Sequence, residues 1–150
     1  MFSIGFIDER FKEAGPGEKG RVGLLVLGQH EERFIAHTLN WSESEYVHHW
    51  TVALKRALET GRSALITDLL TPSQSSHLVW WPVWKISDEL VFHNQLLFFE
   101  EYNLKSSGFD VEGLYSLVSE HASYNTEGDL ISEWRVPLGE VQRFLRDRIV

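Results

Sequence analysis

HLVWWPVWKISDELVFHNQLLFFEEY, residues His77 to Tyr102, is the stretch whose reading decides the fold. It is the most apolar part of the chain and holds three of the six tryptophans, Trp80, Trp81 and Trp84. Two apolar runs flank a polar centre, the pattern of a β-hairpin. The turn falls at Ser87-Asp88 or Asp88-Glu89. With the turn at 87–88, residue 93 faces 82 and residue 77 faces 98. Near the middle both arms are apolar on both faces, Trp80 and Trp84 on one side and Trp81 and Val83 on the other. A strand of that kind is covered on both faces, so the hairpin is expected to supply the centre of the core. Pro82 cannot donate to a ladder and is expected at a bulge, or where the strand is locally an edge.

Upstream, TPSQSS (Thr71 to Ser76) reads as a turn-rich loop and RSALITDLL (Arg62 to Leu70) as a strand. A helix precedes them. Ser42 stands in N-cap position and Glu45 follows three residues later, the capping-box spacing. Tyr46, Trp50, Ala53, Leu54 and Ala57 then form an apolar stripe at helical spacing. His48, Lys55 and Glu59 fall on the solvated side. Gly61 closes the helix where a left-handed backbone is wanted. Before the helix, RVGLLVL (Arg21 to Leu27) and EERFIAHTL (Glu31 to Leu39) read as antiparallel partners joined through Gly28 to His30. Phe2 to Ile7 alternates weakly and is expected as an edge strand. Asp8 to Gly20, with GPGEKG, is expected as a turn or loop.

Downstream, Tyr102 to Gly108 reads as a loop and Asp110 to His121 as a helix with Val111, Leu114, Val118 and His121 on one stripe. Gly113 weakens that helix by about 1 kcal/mol relative to Ala. Ala122 to Asp129 is expected as a loop and Leu130 to Val136 as a short strand carrying Trp134. Pro137 suits the first position of a final helix, with Leu138, Val141, Leu145 and Ile149 towards the core. Arg143, Arg146 and Arg148 lie near its C-terminal end, where positive charge is favourable. Antiparallel pairing with about three helices packed on it is an α+β architecture. At 150 residues the chain is read as one domain, residues 1–150, able to bury roughly 70% of its unfolded surface.

With no cysteine, disulfides, thiolate metal sites and cysteine nucleophiles are excluded, and a reducing compartment fits. The N-terminus has neither a basic n-region nor a long apolar h-region, and no apolar run approaches the ~20 residues of a membrane helix. The expected location is the cytoplasm, with no membrane partner. Between Glu100 and Glu133 lie eight acidic residues against the single Lys105, a local net charge of −7 within the total of −8. Such a field repels phosphate and attracts a basic partner. A solvated face that keeps the protein soluble is the plainer reading of the same charges.

Chemistry-bearing motifs are missing. His48 and His49 are adjacent, about 100° apart on a helix, and cannot share an ion. His77 and His93 lie on opposite hairpin arms and do not converge. HExxH, GxSxG, P-loop and GxGxxG patterns do not occur. Glu100-Glu101, as neighbours on a strand, would point to opposite faces. No catalytic residue, metal site or cofactor is therefore expected. The aromatics could stack on single-stranded nucleic acid, but the scattered Lys and Arg offer no basic groove.

Three stretches carry a family resemblance: LNWSESEYVHHW (Leu39 to Trp50), the hairpin from Arg62 through VWWPVWKISDELVFHNQLLFFEEY, and GDLISEWRVPLGEVQRFL (Gly128 to Leu145). The most specific pieces are the ISEW run, Ile131 to Trp134, and the FxxQLLFFEEY end of the hairpin. Together they resemble the CdiI immunity proteins of bacterial contact-dependent growth inhibition, of the type that protects Enterobacter-like cells against a CdiA C-terminal toxin cutting ribosomal RNA, 16S rRNA being the candidate. The resemblance covers roughly Leu39 to Leu145. It implies a Whirly-like sheet-and-helix fold and a stoichiometric inhibitor rather than an enzyme. The partner it implies is the cognate toxin domain in the cytoplasm, a basic nuclease, blocked from its substrate. No catalytic residues carry over. The acidic segment supplies the expected contacts on charge grounds: Glu100, Glu101, Glu120, Glu127, Asp129 and Glu133, with Tyr102 and Tyr124 as anchors, since hot spots favour Tyr, Trp and Arg. A single-stranded nucleic-acid-binding module and a generic acidic interaction domain stay open as alternatives.

Overall fold

The tryptophan-rich segment is the spine of the larger of two antiparallel sheets. A computed structural model describes residues 1–9 and 19–148. Three strands, β1 (Phe2–Phe6), β2 (Gly20–Leu27) and β3 (His30–His37), form one sheet in the order β1-β2-β3. The other sheet is built from β4 (Arg62–Asp68), β5 (His77–Ile86), β6 (Glu89–Phe92), β7 (Gln95–Phe98) and β8 (Trp134–Pro137). Its order is β4-β5-β6-β8, with β7 also paired to β5. Helices α1 (Glu43–Thr60), α2 (Val111–Leu114) and α3 (Leu138–Asp147) complete the described elements. The architecture is α+β, as the sequence predicts. The expected loop over Asp8 to Gly20 and the core position of Ile149 fall largely or wholly outside the described residues.

The hairpin register is the one read from the sequence. The turn is Ser87-Asp88, with Ser87 left-handed (φ 55). His77 faces Phe98, and Trp80 faces Gln95. Trp80, Trp81, Pro82, Val83 and Trp84 are all buried. Three expectations about this hairpin need correction. First, β5 is a central strand at Pro82, which pairs with Ala64 of β4. On the other side His93 donates its N–H to the Pro82 carbonyl at 3.0 Å. Pro82 has no N–H to return, and the return arm breaks there, into β6 and β7. Second, the arm stops at Phe98, and Phe99–Tyr102 is a 3-10 turn. β5 begins at His77, the partner of Phe98, so no strand remains for residues 99–102 to pair with. Glu100 and Glu101 therefore do not alternate across a sheet, and both are exposed. Third, the covering of both faces ends with β6. On β7, Leu97 is buried while Leu96 and Phe98 are 48% and 40% exposed.

The hairpin β2–β3 is tighter than expected. Leu27 pairs directly with His30, leaving Gly28-Gln29 as a two-residue turn with Gly28 at φ 68. Gly23 is required for close approach: the Phe34 ring lies across it from β3, and a Cβ there would meet ring atoms at 2.2 Å. That ring continues onto Trp50 of α1 at 5.7 Å, edge to face.

Helix α1 ends as read from the sequence. Ser42 and Glu45 form the reciprocal capping box, and Gly61 closes the helix left-handed. Its buried face seals the edge of β4, whose outward backbone groups have no strand partner among the described residues. His49 Nε2 accepts the Ile66 N–H at 2.8 Å, Trp50 Nε1 donates to the Ile66 carbonyl at 2.8 Å, and the Tyr46 hydroxyl accepts the Leu69 N–H at 2.9 Å while donating to the His37 carbonyl. The Asp68 carboxylate accepts the His37 N–H at 2.9 Å. These bonds cover the point where the β4–β5 register slips, between Ile66 and Asp68, and tie β3 to β4. One buried cluster joins both sheets: Phe2 of β1 stacks on Phe92 of β6 at 5.7 Å and meets Phe144 of α3 edge to face at 5.2 Å.

The helix expected over Asp110 to His121 is much shorter. Asp110 caps α2 by accepting the Glu112 N–H, a 3-10 turn covers Tyr115–Leu117, and Val118 is extended. Tertiary bonds draw the backbone out of the helix: Arg62 Nη1 donates to the Val118 carbonyl at 3.1 Å, and Trp84 Nε1 to the Ser119 carbonyl at 2.8 Å. The strand expected over Leu130 to Val136 is confined to Trp134–Pro137, and Leu130 is 71% exposed. In α3, Val141 and Leu145 are buried, and just past its end the Arg148 guanidinium, although the residue is exposed, donates to the Ile4 carbonyl of β1.

Candidate functional site

The eight acidic and aromatic residues singled out by charge fall into three places. Glu100, Glu101 and Tyr102 occupy the 3-10 turn after β7, all exposed. Phe99 anchors the turn in the core and meets Phe109 edge to face at 5.7 Å. An open groove of about 580 Å³ lies beside it, lined by Pro72, Ser76, Phe98, Glu100, Glu101 and Lys105 among others.

Glu120, Tyr124, Glu127 and Asp129 lie on the exposed segment between Val118 and β8. That segment has internal order. Asn125 Oδ1 accepts the N–H groups of Glu127 and Asp129 at 3.0 and 2.9 Å. Tyr124 and Leu130 form a β-bridge, and Ile131 donates to the Ser123 carbonyl at 2.9 Å. The result is a closed turn on which Glu127 and Asp129 are both exposed, with Tyr124 61% exposed. Among the described residues, no hydrogen bond or ion pair joins this turn to the first group.

Glu133 is separate in kind, because its carboxylate is turned inward. Oε1 meets His93 Nε2 at 3.0 Å and His121 Nε2 at 2.7 Å, while Arg135 donates to Oε2 through Nη2 at 2.9 Å and Nε at 3.2 Å. Burial by itself would raise the Glu133 carboxyl. The hydrogen bonds from His121, His93 and Arg135 outweigh it and bring its pKa down to about 2. The carboxylate is therefore ionised throughout the physiological range. Arg135, and Arg62 on the Val118 carbonyl, also place positive charge against a segment that reads as almost purely acidic along the chain.

A second concavity, about 420 Å³, lies between α1 and α2, with Trp41, Glu45, His48, His49 and Tyr115 in its lining. Its buried histidine is a structural group. His49 Nε2 accepts the Ile66 N–H, so the ring proton sits on Nδ1, 3.3 Å from the Tyr115 hydroxyl. Burial, with a smaller contribution from His48, lowers its pKa to about 3. A neutral imidazole whose free lone pair is already used is a poor general base.

With this geometry in place, comparison with known proteins is informative. A family model described as the CdiI N-terminal domain matches residues 36–144. That match spans more than half of the chain. The chain belongs to the CdiI N-terminal domain family. All eight candidate residues lie within the CdiI match. A search of curated proteins finds no match. Among solved structures, the CdiA-CT/CdiI toxin and immunity complex from Enterobacter cloacae contains a chain of the same fold. The TM-score is 0.84 at 23% identity, over 98% of this chain and 97% of that one. The fold likeness thus extends through β1 to β3, which precede almost all of the CdiI family match.

Two features escaped sequence reading. The exposed pair Leu96 and Phe98 lies on one face of β7, two residues apart, next to the acidic 3-10 turn. Its signal was present in QLLFFEEY but indistinguishable from core until the break at His93 ended the cover. The convergence of His93, His121 and Glu133 has no local signal, because the three are 28 and 12 residues apart in order along the chain.

Proposed function

We infer that this chain is the immunity partner of a contact-dependent growth inhibition toxin, binding the C-terminal domain of its cognate CdiA and neutralising it stoichiometrically. The observation that carries the inference is the CdiI family match over residues 36–144. The whole-chain likeness to a member of a toxin and immunity complex supports it. The toxin domain we propose is a basic nuclease, with 16S rRNA its candidate substrate, and inhibition is by blocking access to that substrate. A nuclease must bind phosphate, and an acidic inhibitor gains encounter rate from that field.

The proposed contact surface has two parts. Leu96 and Phe98, rimmed by Glu100, Glu101 and Tyr102, combine an apolar centre with a polar edge, the usual anatomy of an interface. The turn bearing Tyr124, Glu127 and Asp129, with Glu120 before it, supplies the steering charge. Glu133 contributes by fixing the base of that segment.

The functional test is co-production with the C-terminal domain of the toxin encoded immediately upstream. Cells should grow, and failure of protection overturns the immunity role. For the surface, Glu127→Lys with Asp129→Lys should slow association about tenfold at low ionic strength, an effect shrinking as salt screens the field. Unchanged rate and salt dependence would remove this turn from the interface.

A further inference from the structure

We propose that His93, His121 and Glu133 form a binding site for one divalent transition cation of the zinc class, which fastens the acidic segment to the sheet. Each residue offers one ligand atom, and the three atoms all lie within 4.8 Å of one another. In a tetrahedral site with metal–ligand bonds near 2.0–2.1 Å, ligand atoms stand about 3.3 Å apart. The Nε2–Oε1 separations here are 3.0 and 2.7 Å, a few tenths of an ångström short of that spacing, and the two Nε2 atoms are within 4.8 Å of each other, so small adjustments of the three side chains bring them to tetrahedral spacing. Two imidazoles and one carboxylate suit zinc, cobalt or nickel rather than magnesium or calcium, which prefer oxygen.

The surroundings have the features of a built site. The Trp84 ring packs against both imidazoles, with centroids 4.5 Å from His93 and 5.3 Å from His121. Arg135 clamps Oε2 and leaves Oε1 directed at the two rings, the arrangement by which outer groups orient a carboxylate ligand. The Arg135 guanidinium in turn approaches Glu89 at 3.6 Å. His93 is 1% exposed, and among the described residues its Nδ1 meets no hydrogen-bond partner. The Nε2 contact is thus the polar interaction that holds this ring in the core. His121 and Glu133 keep 19% and 18% side-chain exposure, which gives an ion a path from solvent.

Topology explains what the ion would do. His93 sits at the break between β6 and β7. His121 and Glu133 stand at the two ends of the segment carrying Tyr124, Glu127 and Asp129. A cation held by all three closes that segment at its base against the sheet, and leaves a fourth position for water or another donor. The site stands independently of the immunity role, so the two can fail separately.

The test uses the full chain, stripped with a chelator and titrated with Zn²⁺ alone in competition with a chromophoric chelator, then with Co²⁺ read by its visible bands. One equivalent should bind with a dissociation constant below about 1 µM, with the intense cobalt bands of a low-coordinate site and a raised thermal midpoint. His121→Ala and Glu133→Gln should each weaken binding at least tenfold. Both positions are near the surface, and native-like circular dichroism checks that each variant folds. His48→Ala, at an exposed histidine elsewhere, should change nothing. Binding weaker than about 100 µM would reduce the cluster to an ion-pair network and overturn the proposal. So would binding unchanged in both ligand variants.

Discussion

His49 shows how one buried side chain can carry a pH dependence of stability. Its folded pKa of about 3 lies below the ordinary 6.5 because it is buried among α1 and β4. A depressed histidine contributes stability that is present above pH 6.5 and is lost as pH falls towards 3, because the unfolded chain takes up the proton first. The slope across that window is about 1.4 kcal/mol per pH unit. Urea unfolding at pH 6.5 and 5 should therefore show a loss of about 2 kcal/mol in the native chain that is missing from His49→Gln, which does not titrate. Equal losses in the two would mean that His49 is not held neutral. Position 49 was legible only as a histidine beside another. Its neighbour His48 faces solvent while His49 enters the core, a difference of one residue along α1 that the packing of Trp41, Tyr115 and Ile66 decides.

At the scale of elements, local signals read well where the chain satisfies itself. The α1 capping box uses residues three apart, with Glu45 N–H to Ser42 Oγ at 3.3 Å and Ser42 N–H to Glu45 Oε1 at 3.2 Å. Ser42→Ala should cost about 1 kcal/mol in denaturant unfolding, and a change under about 0.3 kcal/mol would mean that the helix is held by its packed face alone. Where distant groups intervene, the reading failed. The stripe from Val111 to His121 is a fair helical pattern, yet Arg62 and Trp84 claim the carbonyls of Val118 and Ser119 and the helix ends after one turn. The hairpin register followed from its turn, but the division of its return arm came from Pro82 across the ladder.

At the scale of the molecule, the two sheets share one buried cluster, joined through Phe2, Phe92 and Phe144 and through the α1 side chains on β4. We propose that the chain behaves as one domain. Calorimetry should give a single transition whose calorimetric and van't Hoff enthalpies agree, and two resolved transitions would separate the β1–β3 sheet from the rest. No described helix is long and apolar enough to cross a membrane. The charge excess between Glu100 and Glu133 is real in sequence but divided in space, into a 3-10 turn beside β7, an Asn125-centred turn, and an internal carboxylate.

The sequence by itself determined the α+β class, α1 with its caps, the hairpin register and the acidic third of the chain. These depend on contacts between near neighbours or on periodicity, both written in local order. Tertiary structure alone decided that Leu96 and Phe98 are exposed, that Glu133 faces inward, and that His93 and His121 meet it. Burial and convergence are properties of what the rest of the chain places nearby, and no window of sequence contains that information.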